Sequence, residues 1–139
     1  MSAWAGSFLL DSEALSALAR QTLEMQEWVT YARRRNFAIF VSAATLDEVL
    51  DGSARDAAVY RVLKPLTILP VTAEIGGAAG KLRKVASSLR SKPRDLTVDA
   101  IVAATAFTLS RPVVILTSDS SDFHLMLGDS KDVSVTRIG

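Results

Sequence analysis

Short apolar runs alternate along this chain with longer segments of helical periodicity, and this alternation restricts the possible folds more than any other feature. Runs such as Ser7–Leu10 and Val113–Thr117 are too short for helices and read as buried strands. Strands that alternate with helices form βαβ units, in which the strands lie parallel in one sheet. The sequence therefore predicts an α/β fold, with a central parallel sheet of four to five strands and helices on both faces.

The apolar pattern also predicts the bounds of each element. Strands are expected at residues 7–10, 37–41, 66–69 and 113–117, with a fifth at 133–136, and helices at residues 12–20, 22–35, 42–50, 55–63, 72–89, 97–109 and 121–127. Thr97 is a predicted N-cap, and the helix after it is apolar almost all round, so we expect it to be buried. The Gly76–Gly77 pair either weakens its helix or allows close packing.

The length and composition fit a single globular domain over residues 1–139. The chain is 49% hydrophobic and 22% charged, with a net charge of +1. It contains no cysteine, which excludes disulfides, zinc–thiolate sites and cysteine nucleophiles and fits a reducing compartment. The sequence has no apparent signal peptide, and its longest apolar stretch is too short to span a bilayer. We therefore expect a cytoplasmic protein that does not bind membranes.

Four acidic residues lie where the predicted elements begin or end. Asp11 and Asp119 follow strands, Asp99 lies in the first turn of the apolar helix, and Glu48 lies in the second turn of another helix. The carboxyl ends of parallel strands share one edge of the sheet, where ligands of such folds bind. Carboxylates gathered at that edge repel one another unless a cation neutralises them. This arrangement predicts a site for a hard divalent cation.

Each of these acidic residues also has a structural interpretation. Asp11 can cap the helix that follows it, and Asp99 suits the dipole at a helix N-terminus. Glu48 can be a solvated helix residue, and Asp119 can be a turn residue. Asp122 either caps the last short helix or joins the site. Only their joint placement favours a functional site.

The remaining chemical groups exclude some reactions and leave others open. His124 is the only histidine, so a two-histidine ribonuclease is excluded, and the sequence has neither a phosphate-binding glycine loop nor a G-x-S-x-G motif. Metal-assisted hydrolysis remains. Residues 81–94 hold six basic side chains and no acid, and residues 33–35 are all arginine. These clusters either attract phosphates or are solvated surface.

At the acidic residues, the chain resembles the PIN-domain family and, more closely, its VapC-type toxins. The resemblance spans nearly the whole chain and is carried by four segments: FLLDSEALSAL with Asp11, TLDEVL with Glu48, LTVDAIVAATA with Asp99, and LTSDSSDF with Asp119 and Asp122. The third segment is the most specific. Asp122 matches the second acid of the last motif and is a secondary candidate.

The resemblance implies a PIN-like three-layer sandwich and an endoribonuclease that depends on Mg²⁺ or Mn²⁺, with Asp11, Glu48, Asp99 and Asp119 as catalytic and metal-binding residues. Candidate contacts to flanking RNA phosphates are Arg83, Lys84 and Arg90.

The resemblance further implies a homodimer, with interface candidates around Trp4 and Val59–Tyr60. It also implies a cognate VapB-like antitoxin. We expect a segment of this antitoxin to fill a groove walled by Leu15, Leu18 and Trp28, and an antitoxin arginine to reach the acidic site.

Three alternatives remain open from the sequence. The first is a non-catalytic RNA-binding or scaffold PIN domain, which divalent-metal binding would distinguish from an enzyme. The second is a phospho-acceptor receiver domain, although no lysine follows the late strand. The third is a nuclease of the same fold that acts on DNA.

Overall fold

The computed structural model describes residues 4–139. Its strands are β1 (Gly6–Leu10), β2 (Phe37–Ser42), β3 (Thr67–Leu69), β4 (Val113–Thr117) and β5 (Val133–Arg137). Its helices are α1 (Ser12–Ala19), α2 (Leu23–Arg35), α3 (Ala43–Val49), α4 (Asp56–Leu63), α5 (Ala73–Leu89), α6 (Thr97–Ala106) and α7 (Ser121–Leu127). All five strands pair in parallel, so the predicted sheet, including its fifth strand, is confirmed.

The strand order β3-β2-β1-β4-β5 creates a crevice beside the central strand. The chain builds the sheet outward from β1 through β2 to β3, then returns to the other side of β1 for β4 and β5. Ligands of open parallel sheets bind where the order reverses, outside the carboxyl ends of the strands. Here that point lies between β1 and β4. A receiver domain has the order 2-1-3-4-5, so that alternative is wrong.

Two hydrophobic cores cover the two faces of the sheet. Neighbouring side chains of β1 alternate between them, because successive residues of a strand point to opposite faces. Phe8 and Leu10 pack with α1, α2 and α4, whereas Leu9 packs with α5, α6 and α7. The predicted three-layer arrangement is therefore confirmed. Within residues 4–139, no helix has the length and hydrophobicity needed to cross a membrane.

Helix α6 is buried, as its apolar composition predicts, but both of its ends differ from the prediction. Thr97 is the first residue of the helix and not its N-cap. The N-cap position is held by Leu96, which makes no side-chain cap, and the backbone N–H of Thr97 donates to the side chain of Asp95 at 3.0 Å. The helix ends at Ala106, because Thr108 turns the chain by donating to the carbonyl of Thr105 through both its N–H and its hydroxyl.

One expectation about a binding surface is wrong. Leu15 is completely buried, and Val59 is 7% exposed, with both side chains in the core beneath α1 and α4. Leu15 therefore cannot form the wall of an open groove, whereas Val59 lines a surface pocket with Arg55 and Ala58 and stays a candidate for the dimer interface. Trp4 and Tyr60 are exposed at 52% and 55%, so both stay candidates for an interface.

The glycines of β1 and α5 differ in the space around them. A Cβ atom on Gly6 would lie 2.5 Å from the ring of Phe37 and 2.8 Å from the carbonyl oxygen of Pro112. A Cβ atom on Gly76 or Gly77 would have no neighbour within 4 Å. Close packing is therefore not the role of the Gly76–Gly77 pair, and its effect is to weaken the helix.

This contrast gives a prediction about stability. Gly6→Ala is expected to lower the free energy of unfolding by about 1–3 kcal/mol, because a backbone oxygen must move to admit the methyl group. Gly76→Ala is the matched control and is expected to raise it by about 0.5–1 kcal/mol, since alanine favours the helix. Urea denaturation measures both. Equal midpoints for Gly6→Ala and the wild type would contradict the prediction.

Candidate functional site

Asp11 lies between β1 and α1 and accepts two hydrogen bonds that hold its side chain in place. Its Oδ1 accepts a hydrogen bond from the N–H of Ala14 at 2.9 Å, which caps α1 as one interpretation of the sequence predicted. A second hydrogen bond comes from the side chain of Thr117 at the end of β4. The side chain is 4% exposed. Burial raises the pKa of Asp11 to about 6, although the two hydrogen bonds oppose the shift; Asp99 and Glu13 add to it.

Asp99 is coupled to the other acidic residues. It lies in the first turn of α6 with its side chain 18% exposed. Burial raises the pKa of Asp99 to about 6, and Arg94 opposes this shift. The carboxylates of Glu48, Asp122 and Asp119 raise the pKa further. The fold therefore brings together, around Asp99, the acidic residues that the sequence placed in one site.

Glu48 and Asp119 form the exposed side of this acidic group. Both Asp47 and Glu48 on α3 are exposed, and the carboxylate of Glu48 is close enough to raise the pKa of Asp99. Asp119 is 58% exposed and accepts hydrogen bonds from the N–H and hydroxyl of Ser121, at 3.3 and 2.9 Å. These bonds lower the pKa of Asp119 and fix it as a turn residue before α7. The turn role and a place at the site are therefore compatible.

Asp122 is held differently from the other acids. It is 1% exposed and makes no capping bond. Arg90 donates to its Oδ1, and Arg94 donates to its Oδ2 at 2.5 Å. Arg94 also lies 3.4 Å from Asp119 and 3.7 Å from Asp99. The interpretation of Asp122 as a helix cap is therefore wrong. Both oxygens of its carboxylate accept hydrogen bonds from guanidinium groups.

Arg94 is the residue at this site that the sequence did not single out. It belonged to a basic run of six residues, and the only signal for its position was its location five residues before Asp99. Nothing in the local pattern indicated which basic side chain would turn inward. Arg83 and Lys84 lie exposed on α5, and Arg83 donates weakly to Thr97 at 3.4 Å. RNA binding by Arg83, Lys84 and Arg90 stays a prediction.

The carboxylate groups at this site are of the chemical type that binds hard divalent cations. They supply carboxylate oxygens in a partly desolvated crevice, which Mg²⁺ and Mn²⁺ prefer. The guanidinium of Arg94 against three carboxylates demonstrates that this group of acids attracts positive charge. Within residues 4–139, however, no three acidic or histidine side chains are already arranged around one point as a metal site requires. A cation at this site would therefore require side-chain movements, including that of Arg94.

The burial of Asp11 gives a prediction about pH. A carboxyl group whose pKa is higher in the folded state favours folding while it is protonated. Its contribution is complete below the ordinary value of 3.8 and is lost as the pH rises through about 6. In EDTA, Asp11→Asn is therefore expected to be more stable than the wild type at about pH 7.5, by up to about 3 kcal/mol.

The Asp11→Asn variant is a suitable test because asparagine can still accept the hydrogen bond from Ala14. Urea denaturation of both proteins from about pH 4 to pH 8 measures the difference. The two stability curves should converge toward the acidic end of this range. Parallel curves would show that Asp11 does not carry the predicted shift.

The fold and its acidic crevice define an α/β protein with a carboxylate-rich site at the strand switch point. The family model of the PIN domain matches residues 7–125 of the chain. The chain belongs to the PIN-domain family, whose toxins are generally nucleases. None of the curated proteins matches the sequence.

Several solved structures are similar to the chain in fold. VapBC2 from Rickettsia felis, bound to a DNA fragment from its promoter, has a TM-score of 0.73 at 12% identity, covering 96% of this chain and 99% of that one. FitAcB from Neisseria gonorrhoeae has a TM-score of 0.66 at 19% identity, with 94% and 96% covered. A toxin–antitoxin complex from Klebsiella pneumoniae has a TM-score of 0.64 at 20% identity, with 94% and 98% covered.

Proposed function

We propose that this protein is a divalent-metal-dependent endoribonuclease and the toxin of a toxin–antitoxin module, similar to VapC. The observation that carries the proposal is the coupled group of carboxylates at the switch point of a PIN-domain fold. The similarity in fold to components of VapBC complexes supports the toxin–antitoxin setting. The protein would act as a single domain in the cytoplasm.

In this proposal, Asp11, Glu48, Asp99 and Asp119 hold Mg²⁺ or Mn²⁺. When bound, such a cation lowers the pKa of a coordinated water and stabilises charge on phosphoryl oxygens. The chain's own contribution is to orient the donors: Thr117 and Ala14 fix the carboxylate of Asp11, and Ser121 fixes that of Asp119. Burial of Asp11 and Asp99 excludes water that would screen their charges.

The cleavage products test the proposal against its alternatives. With Mg²⁺, the purified protein is expected to cut single-stranded RNA and to leave 5′-phosphate and 3′-hydroxyl ends, because hydrolysis by water does not need the 2′-hydroxyl. Labelled RNA and DNA oligonucleotides of one sequence, followed by analysis of the ends, provide the measurement. RNA binding without cleavage would favour the non-catalytic alternative, and cleavage of DNA alone would indicate a DNA-directed nuclease.

The proposal includes two protein partners, a second copy of the chain and a VapB-like antitoxin. With Leu15 excluded, the apolar surface available for an antitoxin segment changes. Leu18 and Val29 line a cavity of about 340 Å³ together with Trp4 and Phe37. Trp28 lies outside this cavity, packed edge-on against Phe8 with ring centroids 5.6 Å apart. We therefore move the proposed groove toward Leu18 and Val29.

A further inference from the structure

Asp122 ties the loop between α5 and α6 to α7. Arg90 donates from Nε to the carbonyl of Lys92 at 3.1 Å and from Nη1 to Asp122. Arg94, at the other end of the same loop, donates to the second oxygen of Asp122. Because Asp122 is buried and both of its oxygens are engaged, removal of either arginine would leave an incompletely paired charge. The loop is therefore fixed over the acidic crevice.

The contacts of Arg94 are unequal in length. Its Nη1 is 2.5 Å from Asp122, whereas its distances to Asp119 and Asp99 are 3.4 and 3.7 Å. Asp122 is thus the anchor, and the other two contacts are loose. The side chain is 42% exposed, and a guanidinium carries five N–H donors in a planar fork. Donors of Arg94 therefore remain open to a ligand in the crevice.

We propose that Arg94 is a substrate-binding residue that contacts an RNA phosphate beside the cation, and that Asp122 positions Arg94 and is not a metal ligand. This inference rests on the proposed function. Arg94 contacts both Asp99 and Asp119, so a cation held by these two carboxylates would lie near its guanidinium, and the two positive charges would repel each other. A phosphate that contacts both neutralises both, and arginine binds phosphate oxygens in bidentate fashion.

This proposal predicts opposite effects of Arg94→Gln on two ligands. Loss of the neighbouring positive charge is expected to leave Mn²⁺ affinity unchanged or to increase it several-fold, because Arg94 no longer competes for Asp99 and Asp119. Loss of the phosphate contact is expected to raise KM for RNA about tenfold or more, as for a charge-assisted hydrogen bond. A local folding defect would weaken both ligands together, so the two directions separate these explanations.

The measurements are Mn²⁺ binding by electron paramagnetic resonance without RNA, and KM and kcat for RNA cleavage. Arg111→Gln is the matched control, since Arg111 also pairs with an aspartate, Asp132 at 3.5 Å, and is similarly exposed at 47%. It should change neither quantity by more than about twofold. Arg94→Lys keeps the positive charge without the planar fork of donors, so its KM for RNA is expected to lie between those of the wild type and Arg94→Gln. This variant serves as the test if Arg94→Gln does not fold.

The anchor role of Asp122 is tested by a double-mutant cycle. Asp122→Asn is expected to raise KM about as much as Arg94→Gln does. The KM of the double variant should be no higher than that of Arg94→Gln, because Asp122 acts through Arg94. Asp99→Asn should lose Mn²⁺ affinity, whereas Asp122→Asn should retain it. Loss of Mn²⁺ binding in Asp122→Asn equal to that in Asp99→Asn would overturn the positioning role.

The outcomes also separate this inference from the proposed function. A wild-type protein that neither binds Mn²⁺ nor cleaves RNA would contradict the function itself. A wild-type protein that does both, with an unchanged KM in Arg94→Gln and Arg94→Lys, would overturn only the role of Arg94.

Discussion

Replacing Asp99 with asparagine is expected to lower the rate of RNA cleavage by at least about 100-fold, equivalent to about 2.7 kcal/mol of transition-state stabilisation. Asparagine keeps the shape of the side chain but removes the negative charge. The variant therefore lacks the central carboxylate of the site, the one whose pKa is raised by Glu48, Asp119 and Asp122. Single-turnover cleavage assays at saturating Mg²⁺ provide the measurement.

The matched control for this variant is Asp95→Asn. Asp95 lies four residues earlier, exposed in the loop before α6, and accepts a hydrogen bond from the N–H of Thr97. Asparagine can keep that hydrogen bond, so we expect cleavage within about twofold of the wild type. Mn²⁺ binding should fall in Asp99→Asn and not in Asp95→Asn. Full activity in Asp99→Asn would remove this residue from the mechanism.

Removal of divalent cations is expected to abolish cleavage and to lower the thermal stability. Without a cation, the carboxylate of Asp99 raises the pKa of the buried Asp11, and the repulsion between the two groups is uncompensated. A cation at about 100 times its dissociation constant stabilises the folded state by about 2.7 kcal/mol. We therefore expect EDTA to reduce cleavage to background, and Mg²⁺ or Mn²⁺ to restore it and to raise Tm by several degrees.

Two controls make the metal result specific. EDTA that is already saturated with Mg²⁺ should leave cleavage unchanged. The Asp99→Asn variant should lose the rise in Tm, because the ligand set is incomplete. Cleavage that continues in excess EDTA would contradict a metal mechanism, and an equal rise in Tm for Asp99→Asn would place the bound cation elsewhere.

Much of the fold follows from local patterns. The type and order of all the strands and helices are confirmed, since short apolar runs and helical periodicity depend only on neighbouring residues. The ends of α6 are less well predicted: Thr97, expected as the N-cap, is the first helical residue, and Leu96 holds the cap position because the backbone path, not the local residue type, decides where the helix begins. The burial of Leu15 was missed for a related reason: periodicity identifies the apolar side of a helix but not the element that covers it.

The sequence alone determined that acidic residues would lie at element ends and that parallel strands would bring those ends to one edge. Asp11 and Asp99 follow this rule because each position is set by its own strand or helix. The tertiary structure decided what surrounds them. Asp122 meets Arg94 and Arg90 across 28 and 32 residues of chain. No local pattern specifies such a pairing, because it depends on how α5, α6 and α7 pack over one face of the sheet.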